Sequence, residues 1–207
     1  MFINRNIVHQ NKPEPAFFWL TEGPIPAQMP NGARLWRSVM QVRQMSSEDV
    51  KNYLLTNWMT HDALWYRDVA STFGMAQASP MNLRVCRNLG RIEFRRLLKA
   101  TGSNPPKDMA EVKLLYEEAR RILVPPFFEG DMDFQGDSSI LFKTRTCFAY
   151  SGMKEAGLID EYECGIFERI EGWFDAMGLE YTRTPDLSRC LKYKGQECNV
   201  MVLIHFK

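Results

Sequence analysis

Between residues 46 and 124, apolar side chains return every three or four positions, the spacing of helices with one buried face. Ser46 and Asp49 have the spacing of a capping box. The apolar positions Val50, Leu54, Trp58, Trp65 and Val69 follow, with His61 on the same stripe and Gly74 as the expected stop. Ser79-Pro80 is expected to open a second helix, with Leu83, Cys86, Leu89, Phe94, Leu97 and Leu98 apolar and Gly102 at its end. Pro105 and Pro106 precede a third, carrying Met109, Val112, Leu115, Ala119, Ile122 and Leu123. Pro125 and Pro126 end it.

The last third changes period. Ile140 to Phe148 reads as a strand of β-branched and aromatic residues. Glu163 to Met177 is helical, with Ile166, Phe167, Ile170, Trp173, Phe174 and Met177 on one face and Gly178 closing it. Leu179 to Arg183 is a short strand. Arg189 to Tyr193 and Cys198 to Phe206 have the pattern of a hairpin around Lys194-Gly195-Gln196. The expected fold is α+β: a helical N-terminal half packed on a C-terminal antiparallel sheet that carries a cysteine cluster. Ahead of it, residues 1–45 form an expected extended arm, with five prolines and the apolar run Phe17-Phe18-Trp19-Leu20. That run needs cover from the body or a second subunit, which favours a homodimer. Residues 46–207 form the expected single domain, with 46–126 its helical part and 127–207 its sheet part.

Charge narrows the partners. With 26 basic and 25 acidic residues the chain is nearly neutral, so neither nucleic acid nor an anionic membrane is an expected partner. Arg84, Arg87, Arg91, Arg95 and Arg96 read as the solvated face of a helix rather than a phosphate site. No apolar run has transmembrane length and Met1 to Lys12 does not read as a signal peptide, so a cytoplasmic protein is expected. Its cysteines would then stay reduced. Five is also an odd number for a disulfide framework.

Cys147, Cys164, Cys190 and Cys198 fall at element joints, whereas Cys86 lies on an apolar helix face and reads as core. Four thiolates from such edges can converge on one tetrahedral ion. Four unrelated buried thiols are the alternative, and spacing does not separate the two, because no C-x2-C knuckle is present. A metal shared by Cys190 and Cys198 requires an odd or irregular loop between them, since a two-residue hairpin turn would send their side chains to opposite faces.

On the first helix, His61 stands between Trp58 and Trp65. It is a candidate general base, or a donor in an aromatic small-molecule pocket lined by Trp58, His61 and Trp65; a core histidine bonded to a carbonyl is the alternative. Asp62 points to another side. His205 is expected to be buried and structural. His9 lies in the arm. Glu129, Asp131 and Asp133 around Gly130 read as a turn rather than a calcium loop.

Several of these segments carry a resemblance. Asn57-Trp58-Met59-Thr60-His61-Asp62-Ala63-Leu64-Trp65, Thr146-Cys147-Phe148, Gly157-Leu158, Glu163-Cys164, Arg189-Cys190 and Cys198 resemble an uncharacterised prokaryotic family close to the L-2-amino-thiazoline-4-carboxylate hydrolase-like proteins. The family's His-Asp-Gly-x-Trp stands here as His61-Asp62-Ala63-Leu64-Trp65, without its glycine. The last third is more distantly similar to the 4-vinyl reductase domain, in which cysteines hold a zinc beside a ligand pocket. The resemblance implies zinc at Cys147, Cys164, Cys190 and Cys198, with an iron–sulfur cluster as the alternative. The acidic ligand expected before Cys190 is absent, since Leu187 occupies the place; Cys147 or Asp186 is the substitute. Three functions follow as expectations: a small-molecule binding protein with a structural metal, a metal-assisted hydrolase of a small amide-like or cyclic substrate using His61, or an oligomeric interaction module without catalysis.

Overall fold

The computed structural model describes residues 44–206. The expected arm, with Phe17-Phe18-Trp19-Leu20 and His9, lies outside the described residues. The chain divides into two units, Met1–Gln44 and Met45–Lys207, and every described helix and strand belongs to the second.

Three helices come first: α1 (Ser47–Phe73), α2 (Met75–Thr101) and α3 (Met109–Leu123). Ser46 caps α1 through the full capping box: its hydroxyl accepts the Asp49 N–H at 3.1 Å, and the Asp49 carboxylate accepts the Ser46 N–H. Gly74 alone joins α1 to α2. Its φ of 80° is open to glycine and strained for other residues. The second helix therefore begins at Met75, five residues before the expected proline. Pro80 lies inside it, where it removes only the bond to the carbonyl of solvent-exposed Ala76, which water can serve. Asp108 caps α3 by accepting the Glu111 N–H at 2.9 Å.

Strands β1 (Glu129–Gln135) and β2 (Ser139–Thr146) form a hairpin. Helices α4 (Phe148–Glu155) and α5 (Gly165–Met177) follow, then β3 (Glu180–Thr184) and β4 (Cys198–His205). The sheet is antiparallel throughout, in the order β1-β2-β4-β3. This is the α+β arrangement read from the sequence.

Four local readings change. Glu129, Asp131 and Asp133 are the exposed positions of β1, not a turn; they alternate with Gly130, Met132 and Phe134 on the inner side. The strand from Ile140 stops at Thr146, and Phe148 instead opens α4, where its ring packs edge-on against Phe127 and Phe128. Arg189–Tyr193 is a run of turns closed by Lys194 N–H to Cys190 O and Gln196 N–H to Leu191 O, so β4 pairs with β3 instead of a hairpin partner. His205 is exposed, because strand alternation places it on the outer face opposite Ile204.

The inner face of the sheet carries Ile140, Phe142, Val200, Val202 and Ile204, all buried against α3 and α5, with Phe94 and Leu97 of α2 in the same core. Phe142 meets Tyr116, Phe167 and Phe174 in edge-on contacts. A second, smaller core joins Tyr66 and Ala70 of α1 to Met75, Ala78, Met153, Ile159 and Tyr162.

Helices α2 and α5 cross with backbone nearly touching backbone. A Cβ placed on Gly90 would stand 2.1 Å from the Arg169 carbonyl oxygen, and one on Gly172 would stand 2.3 Å from the Arg87 carbonyl oxygen. The close crossing lets Arg87 reach α5. Its guanidinium grips Asp175 with two bonds of 2.6 and 2.9 Å and pairs with Glu171, while Arg91 bonds Asp175 at 2.8 Å. Two members of the expected solvated arginine face are thus turned into a helix–helix joint. Buried Glu171 also pairs with Arg183 of β3 at 2.5 Å. Beside this network Arg169 bonds Glu93 twice, and the Trp173 indole donates to the same carboxylate at 3.2 Å.

Candidate functional site

The end of the sheet where β2 stops and β4 begins holds the four cysteines of the last third. Cys147 follows β2 and is the N-cap residue of α4. Cys164 is the N-cap residue of α5. Its own N–H donates to the Leu187 carbonyl at 3.5 Å. Cys198 opens β4 opposite Thr144 and shares the inward parity of Val200 and Val202, so it faces the helices. Cys190 lies in the turns before β4.

Burial raises the pKa of the Cys147, Cys164 and Cys198 thiols above the usual thiol range. The helix N-termini work against burial at Cys147 and Cys164, because nearby backbone N–H groups favour thiolate. Neighbouring thiols add to the effect of burial. Cys164 is raised further by Cys147, Cys198 and Cys190, and Cys147 by Cys198 and Cys190. The four are thus within electrostatic reach of one another. Among the described residues, however, no group of three or more His, Cys, Asp or Glu side chains is arranged to hold a metal ion. The thiols are neighbours without a shared centre. Their soft donor chemistry and the two N-terminal positions suit a thiolate-bound ion, which would require deprotonation and rotation of the side chains. The connection from Cys190 to Cys198 is irregular rather than a two-residue hairpin turn.

A polar cavity of about 180 Å³ adjoins this region. Its lining includes Ser79, Glu161, Glu163, Ser188 and Arg189, of which Glu163 and Arg189 directly precede Cys164 and Cys190. Buried Ser79 donates to the Glu161 carbonyl at 3.4 Å and lies 3.3 Å from the Tyr66 hydroxyl. These residues carry no compact motif in the sequence, which is why pattern reading passes over them. Tyr162 is another. It is buried, and its hydroxyl accepts the Gly165 N–H at 3.1 Å. Its pKa is held well above the usual range by burial, then by Cys164, Cys147 and Cys86. Cys86 itself is half-buried where α2 meets the start of α5, and burial pushes its thiol up to about 12.

Trp58, His61 and Trp65 are on α1 and line neither this cavity nor the apolar one of about 30 Å³ beneath β1. Trp58 is half-buried, with the Arg169 guanidinium 5.0 Å from its ring centre. His61 and Trp65 are exposed. Asp62 is the more enclosed neighbour. Desolvation raises its pKa, opposed by Arg169 and then His61.

No helix among the described residues is long and apolar enough to cross a membrane. No curated protein and no solved structure matches the chain significantly. One family model does match, over residues 43–179, which takes in all five helices, β1, β2, Cys147 and Cys164 and stops before β3, Cys190 and Cys198. By that match, which spans well over half of the chain, the protein belongs to the family of unknown function DUF6125.

Proposed function

We propose that this protein binds a small polar molecule and that Cys147, Cys164, Cys190 and Cys198 hold a soft metal ion, zinc, that fastens the ligand site together. The observation that carries this reading is the gathering of four thiols from four chain segments at one end of the sheet. Four thiolates would close the coordination shell, so the ion would tie β2, α5, β4 and the turn at Cys190 together and leave no position for substrate. The polar cavity beside Glu163 and Arg189 would take the ligand. Movement of Cys164 or Cys190 on metal loading would then move a cavity wall. A reducing compartment, the cytoplasm, suits such a site.

The test is metal content with sulfur coordination, measured by X-ray absorption on anaerobically prepared protein. The expected result is one zinc per chain with four sulfur neighbours. Serine substitution at Cys164 or Cys198 should abolish binding, while Cys86→Ser should keep it. Three sulfurs and one oxygen would instead support metal-assisted hydrolysis. Protein that neither carries nor takes up metal would refute the thiolate site.

A further inference from the structure

We propose that the outer face of α1 is a dimerisation surface that pairs, antiparallel, with the same face of a second copy of this chain. Helix α1 is apolar on two opposite sides. At 100° per residue, Met59, Tyr66 and Ala70 point one way and are buried. Val50, Tyr53, Leu54, Leu64 and Trp65 cluster around the opposite direction. Of these, Leu54 is 60% exposed, Leu64 50% and Trp65 66%. A helix that is apolar on opposite sides belongs in an interior, and here one side has no cover among the described residues.

The spacing points to a helix as the partner. Positions 50, 54, 57, 61 and 64 follow the alternating four–three rhythm of a two-helix seam. Val50, Leu54 and Leu64 supply its apolar contacts, while Asn57 and His61 are polar insertions of the kind that fix register. The charges decide orientation. Asp49 and Arg67 lie on the same flank of the stripe, nine residues before and nine after Trp58. A two-fold axis at the level of Trp58 in an antiparallel pair brings each Asp49 to the partner's Arg67, whereas in a parallel pair equivalent flanks lie on opposite sides of the seam and the two do not meet. Among the described residues Arg67 has no ion pair within the chain. The seam is self-complementary, as a two-fold interface must be. It is also narrow, about 22 Å from Val50 to Trp65 along the axis, so the dissociation constant should be on the order of micromolar.

Sedimentation velocity of the full chain over a concentration series tests this. A dimer is expected that dissociates on dilution. Leu54→Asp and Leu64→Asp should each raise the dissociation constant by more than about tenfold while leaving the circular dichroism spectrum unchanged, because each buries an unpaired charge in the seam. Arg67→Glu should also weaken the dimer, and raising the salt concentration should narrow its difference from wild type. A monomer throughout the series overturns the proposal and leaves the face to another segment or another protein. So does a dimer that ignores Leu54→Asp and Leu64→Asp. A dimer that Arg67→Glu leaves unchanged overturns the antiparallel arrangement.

Discussion

Replacing Gly90 with alanine should destabilise the domain, although the same exchange in most helices stabilises. In an unobstructed helix, alanine gains about 1 kcal/mol over glycine. At Gly90 the new methyl would meet backbone: the Arg169 carbonyl oxygen at 2.1 Å, its carbon at 3.0 Å and the Gly172 Cα at 3.2 Å. Ordinary contact begins near 3.4 Å. Helices α2 and α5 must therefore part by more than an ångström, and no side-chain rotation can spare them. Overpacking of this kind costs about 1–3 kcal/mol. Parting the helices also stretches the bonds from Arg87 to Asp175 and Glu171 and those from Arg169 to Glu93, charge-assisted contacts worth about 1.5–3 kcal/mol each when lost. Set against the propensity gain, the net loss should be about 3 kcal/mol, or about 6–12 °C in Tm. Gly172→Ala should behave alike. Gly152→Ala is the control: it sits in α4 with nothing within 4 Å of the added methyl and should gain about 0.5–1 kcal/mol. Urea unfolding of all three variants gives the comparison. Gly90→Ala as stable as Gly152→Ala would refute the account of the crossing.

Two further predictions concern single groups. Asp108→Ala removes the acceptor for the Glu111 N–H and should cost about 1 kcal/mol in urea unfolding; no change would show that the cap is replaced by water. Although desolvation opposes it, Arg87 and Arg91 hold the Asp175 carboxyl below its usual pKa, so its stabilisation is complete above the unfolded pKa near 4 and is lost as pH falls through the lower folded value. The stability gap between wild type and Asp175→Asn should accordingly be constant near neutrality and close below about pH 4. A gap that persists at lower pH would assign the effect to something other than charge.

Long-period features were legible in the sequence. Ser46 with Asp49, the prolines at 105–106 and 125–126, and Gly178 mark real helix ends because capping and proline effects act within a turn of chain. Misreadings arose where a distant contact overrides the local signal. Phe148 looks like strand until Phe127 and Phe128 draw it into α4. Pro80 looks like a helix start, yet the helix already runs from Met75. In β1 the alternation of Glu129, Asp131 and Asp133 with Gly130, Met132 and Phe134 was available, but the acidic residues and glycine suggested a turn more strongly. For the candidate site, the joint positions of Cys147, Cys164 and Cys198 could be read, since they depend on element ends. Tyr162, Ser79 and the cavity by Arg189 could not, because only the packing of α1, α2 and the segment before α5 brings them together. The crossing at Gly90 and Gly172 was equally hidden: either glycine alone reads as a flaw in a helix.

The strand order has a bearing on colloidal behaviour. It leaves β1 and β3 as the rims of the sheet, with unpaired backbone groups that could template growth by another strand. Both rims resist this. β1 presents Glu129, Asp131 and Asp133 and is irregular at Glu129/Gly130, while β3 spans only Glu180–Thr184, carries Arg183 and runs directly into Pro185. A charged, irregular strand on one rim and a short, proline-terminated ribbon on the other keep sheets from adding edge to edge. Concentrated solutions of the folded protein should therefore stay free of fibrillar, dye-binding material even when its helices associate.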